Sequence, residues 1–352
     1  MRTGKLLGRG AAVLSIALLA GCASTVRNYG LDDHFSPGEA STGSQSTPEQ
    51  CAATTDAVWV EGPEFGECIR YFPSSAFASG RVARAIVFMD GDVLSLRGAS
   101  ANYGKWTPRR VLEAAQQEQQ RGGTPYLSLA RPGVDGSSGN QNRRRTRYET
   151  EVVNAALDRI KARYGIAEFG LVGQSGGGGL VASLIAERRD VRCAVSSSGV
   201  TAVVYRARAA GRSSDWTGTP LSGVWDPIDQ LSRVHPMPGF RMFVTTDGSD
   251  TDVDAGSQVH YVEAAKAAGL PVEQLMVHGT GSSHHQTYRI GNRIVEDCML
   301  GLPTAGIVRT YSGLDNGYAQ MDALAARARA LAAGQPAQTA AGPADRDARV
   351  AR

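Results

Sequence analysis

The sequence predicts an α/β domain with a mostly parallel sheet covered by helices on both faces, and three observations carry that reading. Short apolar runs alternate with longer segments of helical period. The 352 residues, 42% of them hydrophobic, suffice for one large core. A glycine-rich turn at 173–179 joins an apolar run directly to a helical pattern. Charge is nearly balanced, 37 Lys+Arg against 34 Asp+Glu, so there is no broad basic field to hold a nucleic acid.

In chain order, the first element reads as an export signal at 1–21. Arg2, Lys5 and Arg9 precede an apolar run at 11–20 that is too short to span a bilayer. It ends in Leu19-Ala20-Gly21-Cys22, which resembles the lipobox of bacterial lipoproteins. That resemblance implies lipidation of Cys22 and stable anchoring by several acyl chains. Ala23 after the cysteine implies the outer membrane, with the protein facing the periplasm. Removing the signal also removes its three cations, so the net charge falls from +3 to zero. Residues 22–50 are rich in Ser, Thr, Gly and Pro without apolar period, and are expected to form a flexible tether.

The domain proper is expected at 51–333. Residues 58–72 suggest one or two antiparallel edge strands, and core strands are predicted at 85–89, 125–130, 169–173, 191–196, 241–245 and 274–277. Helices are predicted at 107–120, 149–164, 177–188, 255–268 and 287–300. The long connection at 201–238, with Trp216 and Trp225, reads as a cap whose aromatics either line a pocket or pack the cap down. Residues 334–352 lack core-forming side chains and read as a disordered tail. Four cysteines besides Cys22 in an oxidising compartment suggest disulfides, and three pairings are possible. Cys51 with Cys68 closes a local loop and Cys193 with Cys298 ties a strand to a late helix; free buried thiols are the alternative.

The most informative stretch is Gly173-Gln174-Ser175-Gly176-Gly177, a G-x-S-x-G motif with a strand before it and a helix after it. A strand-to-helix turn this sharp strains the serine, exposes its Oγ and demands neighbours without Cβ. A phosphate cradle is the competing reading, but no Lys-Ser/Thr pair follows the glycines. Two further strand ends carry the partners a serine nucleophile needs, in the order acid then base. Asp247, Asp250 and Asp252 follow the strand at 241–245, and His278, His284 and His285 follow the strand at 274–277.

These motifs, with Asp250-Thr251-Asp252-Val253 and the turn Arg131-Pro132-Gly133-Val134-Asp135-Gly136-Ser137-Ser138-Gly139, resemble the prolyl-oligopeptidase and dienelactone-hydrolase-like branch of the α/β-hydrolases. The resemblance spans about 85–300. It implies Ser175 as nucleophile, Asp250 as the acid, and either His284 or His285 as the base, the two being evenly matched. It also implies an oxyanion hole from the N–H groups of Gly176 and Asp92, the latter in Met89-Asp90-Gly91-Asp92, where many relatives carry His-Gly. Asp247 and Asp252 read as loop residues, and His34, His235 and His260 as residues of tether, loop and helix. Arg143, Arg144, Arg145 and Arg147 read mostly as a solvated face, with a site for a substrate carboxylate as the alternative.

The expectation is therefore a lipid-anchored envelope serine hydrolase acting on a small-molecule or peptide acyl substrate, with no metal, organic cofactor or nucleic-acid partner. No propeller-sized segment precedes the core, which favours an esterase over a peptidase. Acyl transfer and a catalytically inactive binding lipoprotein are the alternatives.

Overall fold

The computed structural model describes residue 1 and residues 25–332. All of the expected signal after residue 1, Cys22 and the tail at 334–352 lie outside the described residues. Among the described residues no helix is long and apolar enough to cross a membrane.

An eight-stranded sheet organises the chain. In chain order its strands are β1 (Ala57–Gly62), β2 (Phe65–Pro73), β3 (Arg84–Met89), β6 (Tyr126–Leu129), β7 (Glu168–Gln174), β8 (Val191–Ser197), β9 (Arg241–Thr246) and β10 (Val272–Met276). A separate hairpin, β4 (Leu94–Ser95) with β5 (Gly98–Ala99), follows β3. The spatial order is β1-β2-β6-β3-β7-β8-β9-β10. The β1–β2 and β2–β6 pairs are antiparallel and the rest parallel. Near-continuous apolar runs such as Ala85-Ile86-Val87 and Leu171-Val172 are what a sheet buried on both faces requires.

Helices α4 (Arg147–Tyr164), α5 (Gly176–Leu184) and α7 (Ala255–Ala267) cover one face; Val153, Leu157, Leu184 and Tyr261 pack there on Val87, Leu171 and Met242. On the other face lie α3 (Pro108–Gly122), α8 (Tyr288–Met299), α9 (Thr304–Tyr311) and α10 (Tyr318–Ala332), with Ile294, Val295 and Tyr311 over Val172, Val195 and Phe243. The sequence reading named no elements beyond 300. Yet α9 and α10 are what allows α8 to bury charge: Asp297 accepts from Tyr311 Oη at 2.6 Å and pairs with Arg329 at 2.8 Å.

Residues 25–50 are not a free tether, which corrects the expectation for that segment. Tyr29, Phe35 and Ala40 are buried and pack on Phe72, Tyr103 and Val134. Short helices α1 (Pro37–Thr42) and α2 (Pro48–Ala52) punctuate the segment, capped by Ser36 and Thr47. A few large apolar side chains at irregular spacing hold it down, a pattern with no period to read. The cap at 201–238 contains α6 (Val203–Ala209) and two 3₁₀ turns, Leu221–Gly223 and Pro227–Arg233. Cys51 bonds Cys68 with an S–S distance of 2.08 Å, and Cys193 bonds Cys298 at 1.94 Å.

Candidate active site

All the site elements meet at the carboxyl ends of the parallel strands. Where β7 gives way to α5, Ser175 adopts φ 56° and ψ −118°, a conformation that costs a non-glycine residue energy. The surroundings enforce it. Ser175 N donates to Ser197 O at 2.8 Å, and Ser175 O accepts from Val200 N at 3.1 Å and Gly179 N at 3.0 Å. The flanking glycines are sterically required: a Cβ on Gly173 would run into Gly177 carbonyl, and one on Gly177 into Met89 carbonyl.

The loop after β9 delivers Asp250, whose side chain is fully buried. Its Oδ1 accepts from Asp252 N at 2.8 Å and Val253 N at 2.9 Å, and its Oδ2 meets His285 Nδ1 at 2.8 Å. The geometry thus separates the two histidines. His285 is the one bound to Asp250, its side chain 13% exposed. His284 is 53% exposed, sits at φ 54° and lies 3.8 Å from Asp247. Asp247 is a loop brace, accepting from Ser249 N and Gly279 N, both at 2.7 Å. His278 is exposed and its backbone pairs with Leu314 and Asn316, while Asp252 is exposed on its loop. His260 stacks on Tyr205 with ring centroids 4.0 Å apart, and His235 is exposed.

One residue missed in the sequence ties the histidine loop to the serine turn. Gln174 Nε2 donates to His285 O at 2.9 Å, and its Oε1 accepts from Thr287 N at 3.1 Å. The position next to the serine was its only signal. An imidazole bound at Nδ1 by a carboxylate has its Nε2 left free for proton transfer.

The loop after β3 approaches the serine from the other side. A Cβ on Gly91 would lie 3.3 Å from Ser175 Cβ, and one on Gly176 would collide with Asp92 Oδ1. Gly176 and Asp92, the two residues expected to supply oxyanion donors, are thus neighbours, with Gly176 opening α5. Asp90 is exposed and accepts from Gly91 N at 2.7 Å.

The arginine run is not a solvated face, which corrects that reading for two of its members. Arg143 and Arg147 are exposed, but Arg144 is 2% and Arg145 10% exposed at the side chain. With Arg131 they surround the Asp92 carboxylate: Arg131 Nη1 lies 2.9 Å and Arg144 Nε 3.3 Å from it, and Arg145 Nη2 bonds it. Arg131 also pairs with Glu149 at 2.6 Å and Arg145 with the cap's Asp215 at 3.2 Å. Burial alone would raise the Asp92 carboxyl, but Arg145, Arg131 and Arg144 hold it below the usual carboxylate range. Three guanidiniums against three carboxylates leave the cluster neutral, so it does not repel an anion forming at Gly176. The sequence shows the charges but not that their partners arrive from the loop after β3, from α4 and from the cap.

The cap's tryptophans pack it. Trp216 lies under Arg206 at 3.7 Å and Arg212 at 4.9 Å, and Trp225 N donates to Arg145 O at 2.9 Å. Between Trp225, Leu180, Val203 and Gly176 there remains an enclosed cavity of about 10 Å³, room for roughly one water.

A family model described as alpha/beta hydrolase fold matches residues 93–224, a stretch that includes Ser175 and the arginines but ends before Asp250 and His285. No curated protein matches the chain. Among solved structures, Est1E from Butyrivibrio proteoclasticus with ferulic acid bound is 14% identical, with 69% of this chain and 98% of that one covered and a TM-score of 0.50. The Pyrococcus furiosus esterase Pf2001 is 14% identical over 76% of this chain and 95% of its own, at a TM-score of 0.49. Pyrococcus horikoshii acylaminoacyl peptidase is 14% identical over 68% of this chain and 41% of its own, at 0.46. At 14% identity the likeness to Est1E speaks for the fold alone.

Proposed function

The chain has the α/β-hydrolase fold, and from that premise we propose that it is a serine hydrolase that cleaves a carboxylic ester through an acyl-Ser175 intermediate. The observation that carries the reading is the 2.8 Å bond from His285 to Asp250 on a loop fastened to the serine turn by Gln174. An inactive scaffold has no need to strain a glycine-flanked serine beside such a pair.

In the reaction Ser175 Oγ attacks the acyl carbon while His285 Nε2 takes its proton, and Asp250 holds the ring and balances the imidazolium. The oxyanion accepts from the N–H groups of Gly176 and Asp92, a role supported by the closeness of Asp92 Oδ1 to Gly176. Collapse expels the alcohol, which takes the proton from His285. A water then attacks the acyl group by the same path and regenerates Ser175. Esters come first because their leaving group asks less of the general acid than an amine does; thioesters and amides follow the same steps.

Two further parts complete the reading. Cys22 carries the lipid that holds the protein in the cell envelope, on the outer membrane and facing the periplasm. Two disulfides support an oxidising compartment. A fluorophosphonate probe tests the enzyme: wild-type protein should label and Ser175→Ala should not. Equal labelling of both, or labelling of neither, refutes the proposal.

A further inference from the structure

The N-terminal segment fixes where an anchored domain stands relative to its bilayer. Val26 N donates to Gln45 O at 2.7 Å, and Ser44 exchanges backbone bonds of 2.9 and 2.8 Å with Gly139 in the loop after β6. The chain is therefore fastened on the strand-end face that carries Ser175. Val26 lies only four positions after Cys22, a reach of at most about 14 Å.

That same face exposes large apolar side chains. Leu31 is 48% exposed, Leu96 66% and Trp106 45%. Leu31 and Trp106 lie side by side over the start of α3, since Leu31 O accepts from Arg109 N at 2.8 Å and Trp106 O from Phe35 N at 3.1 Å. Leu96 tips the β4–β5 hairpin, which continues directly from the Asp92 loop, and reaches within 3.6 Å of the cap at a Cβ placed on Gly218. Arg97 follows Leu96 in the chain, Lys105 precedes Trp106, and Arg110 Nη1 donates to Lys105 O at 2.9 Å; all three are exposed and without an ion pair among the described residues. The nearby Asp32 and Asp33 are already paired with Arg109 and Arg27. Aromatic and apolar side chains with such cations beside them match the interface of an anionic bilayer, where rings sit among headgroups and cations meet phosphates.

We propose that Leu31, Leu96 and Trp106, with Arg97, Lys105 and Arg110, seat on the bilayer that holds Cys22 and turn the strand-end face that carries Ser175 toward the lipid surface. The orientation rests on the anchoring reading of Cys22, whereas the affinity of the rim for lipid does not.

Full-length protein and its variants are mixed with vesicles of phosphatidylethanolamine and phosphatidylglycerol whose acyl chains are brominated. Tryptophan emission should be quenched, and Trp106→Phe should remove most of that quenching. Unlipidated Cys22→Ala protein should co-sediment with these vesicles and not with pure phosphatidylcholine. Adding L31S, L96S and W106S should weaken that binding about tenfold or more, while fluorophosphonate labelling stays normal and shows the variant folded. Unquenched Trp106, or undiminished binding of the rim variant, overturns the proposal. So does a rim variant that loses turnover of soluble long-chain esters without vesicles while its vesicle binding is unchanged, because the rim then serves substrate. If the intact mass shows no acyl group on wild-type Cys22 while rim binding persists, the anchoring reading fails alone.

Discussion

Asp250 holds the His285 ring at Nδ1, and Gln174 fastens the loop that carries His285 to the turn that carries Ser175. His285→Ala should lower kcat on p-nitrophenyl acetate by at least about 10³-fold, whereas His284→Ala should stay within a few-fold of wild type. Steady-state kinetics on the two variants decides between the neighbours, since only His285 is bound to Asp250. Asp135, in the turn after β6, makes a second prediction at this scale. Burial, and then the nearby Asp90, push its carboxyl from its ordinary 3.8 up to about 7, and burial pushes Asp226 up to about 6. Between about pH 4 and 7 the folded chain holds protons that the unfolded chain releases, so these groups make stability fall as pH rises through that window and level off above it. Asp135→Asn should flatten the upper part of that decline, read as urea midpoints from pH 5 to 8.

Between elements, the loop after β3, the run ahead of α4 and the cap are joined through Arg145. It bonds Asp92 beside Gly176 and pairs with Asp215, which is fully buried and also accepts from Thr217 N at 2.8 Å and Thr219 N at 2.9 Å. Removing the guanidinium takes from buried Asp215 its one ion-pair partner among the described residues and leaves Asp92 to Arg131 and Arg144. Arg145→Ala should therefore cost about 3–5 kcal/mol in urea unfolding. It should also lower kcat more than it raises KM, because the Asp92 loop is freed to move. A loss of stability with unchanged kcat would mean that the cluster braces the cap alone.

At the scale of the molecule, the sheet carries two cores, and Cys193–Cys298 links β8 to α8 across a chain separation of 105 residues. Closing so long a loop constrains the unfolded chain, so Cys193→Ser with Cys298→Ser should cost about 4–5 kcal/mol. Urea denaturation of that variant beside wild type measures it, and dithiothreitol should reproduce the loss in wild type. Cys51–Cys68, 17 residues apart, fastens the N-terminal segment to β2 and closes a far shorter loop.

Much of this was legible in one dimension because it is written in short-range pattern. Apolar runs and helical period marked the six core strands and the five helices that cover them. Glycines around Ser175 announced a turn that no side chain fits, and strand ends announced where its partners stand. Other features depend on contacts between distant residues, which leave no period. His285 could be told from His284 only once the loop after β9 placed Asp250 against it. Arg144 and Arg145 looked like solvated charge until carboxylates from two other loops closed on them. Tyr29 and Phe35 sat in a stretch with the composition of a linker, and it is their burial against Phe72 and Tyr103 that makes the N-terminal segment part of the fold. The chain by itself determined which chemistry is available; the tertiary structure decided which of two identical side chains meets the acid, because only folding sets distances between residues far apart in sequence.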